Sequence, residues 1–406
     1  MLGNFPAVVI QGARQVGKST FAQVLMARRP HLARTLDDPG VLAAARFDPV
    51  AFVDQAPGRA LVIDEIQRAP GLILALKAAI DRDRTPGRFL VTGSADLLRL
   101  ERSADSLAGR AVSLDMYGLS QGEILRVSDD FPSVVLAGLQ ADRSDASFPG
   151  WSRERLVGAL SRGGYPQMQQ LDDDLGRTWI DSYLARIIQR DAADVHRVQP
   201  ARLRSVLRLI AANQAGELVK ARVADQASLP ATTLPVYLDV LQALQLIHLV
   251  PAWMPNLTRR EIARPEALVL DPALALRLAR LTPGQLERVT GAEFLGGMLE
   301  GFVASELLKQ QGWTATPFEL QHYRDRDGRE VDLILELSDG RVIAIEVKAT
   351  RTPRAEHFEG LRILGERLGG GFVAGCLLHL GSAPQRFGDR LWALPVNSLW
   401  QGPALP

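Results

Sequence analysis

The 406-residue sequence has a single cysteine, Cys376, in the apolar run Gly371-Phe-Val-Ala-Gly-Cys-Leu-Leu378. One cysteine cannot build a disulfide framework, and a lone thiol among apolar neighbours fits a reducing compartment. An excess of one charge is also missing, since 47 Lys+Arg stand against 46 Asp+Glu. Nucleic acid or a membrane surface would have to be met by a local patch rather than by the overall field. No run approaches the ~18 apolar residues that cross a bilayer, and no basic start followed by an apolar core marks a secretory signal. A cytoplasmic location without a membrane partner is expected. The six histidines are scattered without metal-ligand spacing, and no internal repeat or low-complexity tract is visible. What is present is ordinary globular material, 47% hydrophobic and 23% charged, which excludes disorder. The length allows two to four domains at ~100–200 residues each.

Short apolar runs alternate with helical patterns in the first third. Ala7-Val-Val-Ile10, Ala60-Leu-Val-Ile63, Arg88-Phe-Leu-Val-Thr92 and Ala111-Val-Ser-Leu114 read as strands, with helices over about 18–28 and 70–82. This is the pattern of βαβ units and a parallel sheet.

The first strand runs directly into Gly12-Ala13-Arg14-Gln15-Val16-Gly17-Lys18-Ser19-Thr20, which fits G-x-x-x-x-G-K-S without a gap and opens a helix. The glycines let backbone N–H groups curl round a phosphate, and the helix N-terminus adds partial positive charge. In this pattern Lys18 reaches the β- and γ-phosphates and Ser19 is a Mg²⁺ ligand. The second strand ends in Asp64-Glu65, at the carboxyl edge where open α/β sheets place ligands. Behind a P-loop this is a Walker B pair: Asp64 holds Mg²⁺, mostly through water, and Glu65 orients or deprotonates the attacking water. The third strand ends in Thr92-Gly93-Ser94. Ser94 clears the strand end and is the candidate γ-phosphate sensor, with Thr92 as the alternative.

Further along come Leu107-Ala-Gly-Arg110, Leu119-Ser-Gln-Gly-Glu123, Gly163-Gly-Tyr-Pro166, Glu330-Val-Asp332 and Ile345-Glu-Val-Lys348. Together with the P-loop and Walker B segments, these resemble prokaryotic AAA-type ATPases fused to a C-terminal domain of unknown function, over nearly the whole chain. The resemblance implies ATP and Mg²⁺ as ligands. It also implies that Arg110 is an arginine finger or sensor; a surface arginine or a structural ion pair is the alternative. Such ATPases usually carry a segment before the first strand that covers the adenine. Here the strand starts at Ala7, so either the start lies elsewhere or the base is held differently.

The run Glu330-Val-Asp332-Leu-Ile-Leu-Glu-Leu-Ser-Asp-Gly-Arg-Val-Ile-Ala-Ile-Glu346-Val-Lys348 reads as a hairpin. Val331, Leu333, Leu335 and Leu337 are apolar on one strand; Ile343, Ile345 and Val347 match them on the other. For these to share a face, facing residue numbers must sum to an even number. A three-residue loop, Ser338-Asp339-Gly340 with Gly340 left-handed, achieves this, whereas a two-residue turn does not. That register sets Asp332 opposite Glu346, with Lys348 on the same face. The set resembles the metal-dependent PD-(D/E)XK nucleases. The resemblance implies Asp332 and Glu346 as Mg²⁺ ligands, Lys348 beside the water or the phosphate, and Glu300 or Glu306 on the preceding helix as a further acid. Many such domains keep the fold and lose cleavage.

The middle of the chain is helical and rich in arginine. Arg186, Arg190, Arg197, Arg202, Arg204 and Arg208, with Lys220 and Arg222, suit a phosphate backbone, and Asp181, Asp191 and Asp194 would neutralise part of that charge. Residues 216–255 read as two short helices and a third, in winged-helix outline. The candidate recognition helix, Thr232–Gln245, has no Lys or Arg and suits packing more than base reading; Arg259 and Arg260 are better DNA contacts. The expected fold class is therefore α/β. Its parts are an AAA-type P-loop NTPase core over 1–126, a linker or insertion over 127–150, a helical lid-like region over 151–213, a winged-helix-like module over 214–290 and a PD-(D/E)XK nuclease-like domain over 291–406. The expected function is Mg²⁺-dependent ATP hydrolysis coupled to action on DNA, branched or broken DNA included, in a homo-oligomer. The alternatives are a signalling or toxin-like switch ATPase with a protein-binding C-terminal domain, and an ATP-gated nuclease.

Overall fold

The computed structural model describes residues 1–94, 107, 109–140, 150–196, 198–254, 263–288, 292–325 and 327–400. The candidate contacts Arg197, Arg259 and Arg260 lie outside the described residues. Two compact units form. One comprises Met1–Gly118 with Gln189–Arg197 and Asp239–Leu246; the other comprises Leu119–Ile188, Val198–Leu238 and Ile247–Pro406.

The first unit holds strands β1 (Ala7–Gln11), β2 (His31–Thr35), β3 (Ala60–Asp64), β4 (Phe89–Gly93) and β5 (Ala111–Asp115). They form a parallel sheet in the order β2-β3-β4-β1-β5. The strand carrying Thr92 and Ser94 thus lies between the P-loop strand and the Walker B strand. Alternate residues bury to opposite faces. Val9, Leu61, Ile63, Phe89 and Val91 pack on Leu72, Leu76 and Ile80 of the helix Leu72–Arg82. Val8, Ile10, Val62 and Leu90 pack on Ala22 and Met26 of the helix Lys18–Met26. Each such aliphatic side chain contributes about 2 kcal/mol when taken out of water. Strand β2, His-Leu-Ala-Arg-Thr, has no apolar run to announce it, because it is an edge strand and half exposed.

In the second unit, the stretch expected as linker or insertion carries the helix Phe131–Gln140. The Phe131 N–H donates to Gln310 Oε1 at 2.9 Å, which anchors the start of that helix. The helix Gln121–Leu125 begins with a capping box in which Ser120 Oγ accepts from the Glu123 N–H at 3.0 Å and Glu123 Oε2 accepts from the Ser120 N–H at 2.8 Å. It is tied to the long helix Ala292–Gln310, since the Gln121 N–H donates to Glu306 Oε2 at 2.7 Å. The middle region folds as the helices Arg153–Arg162, Asp173–Arg186 and Pro200–Ala212, the strand β6 (Gly216–Glu217) and the helices Lys220–Gln226 and Leu234–Ala243. The third helix expected before residue 255 is replaced by β7 (Ile247–Val250), whose Ile-His-Leu-Val sequence pairs with β8 (Glu266–Val269) in the sheet β6-β8-β7.

The C-terminal sheet has six strands: β9 (Phe318–Arg324), β10 (Glu330–Leu337), β11 (Val342–Val347), β12 (Phe372–His379), β13 (Gln385–Gly388) and β14 (Leu391–Pro395). Their order is β13-β14-β12-β11-β10-β9, with β11–β12 and β12–β14 parallel and the rest antiparallel. The apolar run that holds Cys376 is therefore an inner strand, β12. Cys376 lies in it, fully buried, and burial pushes the thiol up to about 12.

The hairpin register is Leu333↔Ile345 and Leu335↔Ile343. The Leu337 N–H donates to Arg341 O at 2.8 Å across a three-residue loop in which Gly340 takes φ 79°. A residue with a Cβ is strained at that φ, so glycine suits the position. The even-numbered face is also buried, since Ile334 and Ala344 pack against Leu361, Leu364 and Phe372. Val331 joins this face although its number is odd, because the pairing with β9 shifts between Val331 and Ile334. Such a bulge re-aims side chains at a strand end, and here it falls beside Asp332.

Candidate functional site

The P-loop closes tightly over β1. A Cβ on Gly12 would stand 2.3 Å from Met116 O, where the chain leaving β5 crosses the loop, so only glycine fits. Ala13 and Val16 are buried and hold the loop down, while Gln15, Ser19 and Thr20 face outward. The Lys18 ammonium is buried and donates to Gly12 O and Ala13 O, each at 2.8 Å. Burial, the largest influence, pushes it down to about 8.

Ser19 Oγ donates to Asp64 Oδ1 at 2.8 Å. The same carboxylate accepts from Thr92 Oγ1, and Thr92 Oγ1 in turn accepts from the Glu65 N–H at 3.2 Å. Thr92 is thus engaged in holding the Walker B acids, whereas Ser94 clears the strand end. Glu65 has φ 60°, a left-handed conformation that costs a non-glycine residue ~1 kcal/mol or more and is frequent at functional sites. Its Oε2 accepts from Gln67 Nε2 at 2.6 Å and lies 3.8 Å from Arg14 Nη1. Arg14 Nε stands 2.8 Å from Oδ2 of the buried Asp191.

Arg110 is not brought to this group. It precedes Ala111, which pairs with Ala7 at the start of β1; the P-loop follows Gln11, which pairs with Asp115. At ~3.3 Å per residue those sheet edges are roughly 13 Å apart. Arg110 instead makes a two-point ion pair with Asp81, at 2.7 and 3.0 Å.

The second group lies in the other unit. Asp332 Oδ2 accepts from the Val347 N–H at 2.7 Å, so the carboxylate takes over where the ladder ends. Lys348 Nζ is 2.5 Å from Glu346 Oε1 and 3.7 Å from Asp332 Oδ2. The other Glu346 oxygen, Oε2, is buried without a hydrogen bond. Burial first and Asp332 second push the Glu346 carboxyl up to about 8. Burial also raises Asp332, with Lys348 pulling the other way. On Lys348, burial opposes the charge, but Asp332 and Glu346 outweigh it and raise the group. Of the two helix acids, Glu300 belongs here: burial, then Asp332 and Glu266, push it far upward. Glu306 does not, because it is fully buried in a pair with Lys309 at 2.6 Å. Among the described residues, no three His, Cys, Asp or Glu side chains converge as a metal cage.

Sequence reasoning missed Gln67, the Arg14–Asp191 pair and Glu266. Burial first and Asp332 second push Glu266 up to about 8, and His322 Nδ1 lies 3.4 Å from it. Gln67, two residues beyond the Walker B glutamate, was the one within reach of a local signal. Of the acids expected to neutralise the middle arginines, Asp181 pairs with Arg277 and also feels the charge of Arg204, one of those arginines, while Asp191 meets Arg14. The side chain of Asp194 is outside the described residues.

Residues 4–125 match the family described as an AAA domain. Residues 153–285 and 295–399 match two domains of unknown function, DUF8612 and DUF4143. The N-terminal unit is accordingly built on a P-loop ATPase domain of AAA type. An uncharacterised protein of Mycobacterium tuberculosis is 28% identical over 354 residues, covering 87% of this chain and 72% of that protein. An uncharacterised protein of Mycobacterium bovis matches with the same figures. Among solved structures, a Walker-type ATPase of Pyrococcus abyssi is similar at 15% identity and TM-score 0.40, covering 68% of this chain and 92% of that one. No helix among the described residues is long and apolar enough to cross a membrane.

Proposed function

We propose that the chain is a Mg²⁺-dependent ATPase whose nucleotide cycle acts on DNA. The observation that carries the ATPase reading is the contact of Ser19 Oγ with Asp64 Oδ1 at 2.8 Å, beside a P-loop lysine folded onto its own loop carbonyls. A hydroxyl and a carboxylate within one hydrogen bond are the oxygen donors a hard cation takes, so Ser19 and Asp64 fit Mg²⁺. The ion would supply charge neutralisation on the β- and γ-phosphates. Lys18 exchanges its two carbonyl partners for phosphate oxygens, and the loop N–H groups hold the phosphate chain. Glu65 takes the proton of the attacking water. The test is hydrolysis and nucleotide binding in two variants. Lys18→Ala should lose nucleotide binding or turnover. Glu65→Gln should keep binding and lose turnover; normal turnover in it would remove Glu65 from its role.

Two features support DNA as the partner. The side chains of Arg186, Arg190, Arg208, Lys220 and Arg222 are exposed, and Arg202 and Arg204 partly so. The element order from the helix Pro200–Ala212 to β8 is also that of a winged helix. Asp332, Glu346 and Lys348, with Glu300, correspond to the PD-(D/E)XK set. The buried oxygen of Glu346 without a hydrogen bond, with the Asp332 carboxylate beside Lys348, supports a two-carboxylate cation site. Duplex, single-stranded and junction DNA should stimulate ATP hydrolysis, and the stimulation should fall steeply with salt. A rate indifferent to all three would favour the switch ATPase with a protein-binding C-terminal domain.

A further inference from the structure

Gln67 lies in the turn Ile66–Arg68 that follows Glu65. Its Nε2 donates to Glu65 Oε2 at 2.6 Å and to Ser94 Oγ at 2.7 Å, and its Oε1 accepts from the Ser94 N–H at 3.4 Å. A primary amide has two N–H hydrogens and a carbonyl oxygen, so one side chain serves all three contacts. The partners come from the ends of β3 and β4, which are paired neighbours. Strand β4 therefore addresses both Walker B acids: Asp64 through Thr92, and Glu65 through Ser94 and Gln67. The left-handed backbone of Glu65 fixes where its side chain starts, and Gln67 fixes where it ends.

We propose that Gln67 is a positioning residue that aims the Glu65 carboxylate at the attacking water and ties that aim to Ser94. The inference rests on the assignment of Glu65 as the base. With Oε2 held by the Gln67 amide, Oε1 is left to accept a proton from water. The water oxygen bonds to the γ-phosphorus, the bond from that phosphorus to the β,γ-bridging oxygen breaks, and the proton rests on Glu65 until it passes to phosphate or solvent. Ser94 Oγ accepts from Gln67, which leaves its own hydrogen to donate to a γ-phosphate oxygen. ADP lacks that oxygen, so ATP alone engages the whole Ser94–Gln67–Glu65 chain. Preorganisation of this kind acts on the chemical step rather than on substrate binding.

The test compares steady-state ATP hydrolysis with equilibrium binding of a fluorescent non-hydrolysable ATP analogue. The proteins are the wild type, Gln67→Ala, the isosteric Gln67→Glu, Ser94→Ala, the Gln67→Ala/Ser94→Ala double variant and Glu65→Gln. Both Gln67 variants should lower kcat by roughly 10- to 100-fold, a share of the ~10²–10⁴ that a positioned base contributes, with analogue affinity within about threefold. The double variant should lose no more than the worse single one, as members of one chain do. A merely structural glutamine would move affinity together with kcat, and its effect would multiply with that of Ser94→Ala. Either result, or wild-type kcat in Gln67→Glu beside an inactive Glu65→Gln, overturns the inference and leaves the ATPase reading standing. Normal turnover in Glu65→Gln overturns the inference and removes Glu65 as the base.

Discussion

Arg14 Nε lies 2.8 Å from Asp191 Oδ2, and Arg14 Nη1 lies 3.8 Å from Glu65 Oε2. One guanidinium in the phosphate loop therefore serves a buried structural acid and a candidate catalytic acid together. The Asp191 side chain is only 5% exposed, so removing its cation costs more than removing an exposed partner would.

The Arg14→Ala variant should lose about 2 kcal/mol of unfolding free energy, below the full buried-pair cost because Arg14 itself is partly exposed. An Arg14→Ala/Asp191→Ala double variant should lose less than the sum of the two single losses, since the pair is then removed together. Urea denaturation of the two single variants and the double variant checks this; additive losses would contradict it.

Arg110 sits at the edge of the sheet opposite the P-loop, so a role at a nucleotide would require a neighbouring copy of the chain. Arg110→Ala should bind ATP normally and hydrolyse it poorly, a trans arginine being worth ~10³–10⁵ in rate. Mixing it with Lys18→Ala should restore some turnover. Full activity of Arg110→Ala at every protein concentration would dismiss the trans role and leave the Asp81 pair as a structural one.

Mg²⁺ should raise the melting temperature of the wild type through the C-terminal carboxylates, by mass action on the folded state. Asp332→Asn keeps an acceptor for the Val347 N–H while removing a charge, so it should fold and lose that part of the Mg²⁺ shift. Calorimetry in a Lys18→Ala background separates this site from the P-loop. A shift unchanged by Asp332→Asn would take the metal away from the hairpin.

His379 is buried, and its Nδ1 accepts from the Gly381 N–H at 2.8 Å. Burial pushes the imidazole down from 6.5 to about 4. The unfolded chain therefore binds the proton first. The stabilisation is complete above pH 6.5 and is lost as pH falls from there toward 4. The span corresponds to roughly 3 kcal/mol. His379→Gln should flatten the fall in stability across that window relative to wild type, as read by denaturation at pH 7 and pH 4.5. Parallel pH profiles would rule the group out.

The P-loop and the Walker B pair are legible in the sequence because their chemistry is local: a strand, a turn and a helix follow one another without a gap. The hairpin register is legible because its parity is fixed by a short loop. The burial of both hairpin faces was also written there, in the unbroken apolar runs Leu333-Ile-Leu335 and Val342-Ile-Ala-Ile345. Such runs mark strands covered on two sides; following the odd positions alone hid this. Asp191 and Glu266 were beyond reach, since each meets its partners only after distant segments have folded. Gln67 lay within reach, but only the pairing of β3 with β4 brings it to Ser94.

Cys376 lies in the middle of β12, opposite Ile345 on one side and Trp392 on the other. As the chain's one thiol, it turns chemical modification into a clock for a single event. A small alkylating reagent reaches the sulfur only when β12 opens between its neighbours, so the labelling rate counts openings of the C-terminal sheet and is blind to fraying at the P-loop. Timing that reaction with and without nucleotide would measure, without any engineered probe, whether events at the phosphate loop are felt by the sheet that carries Asp332 and Glu346.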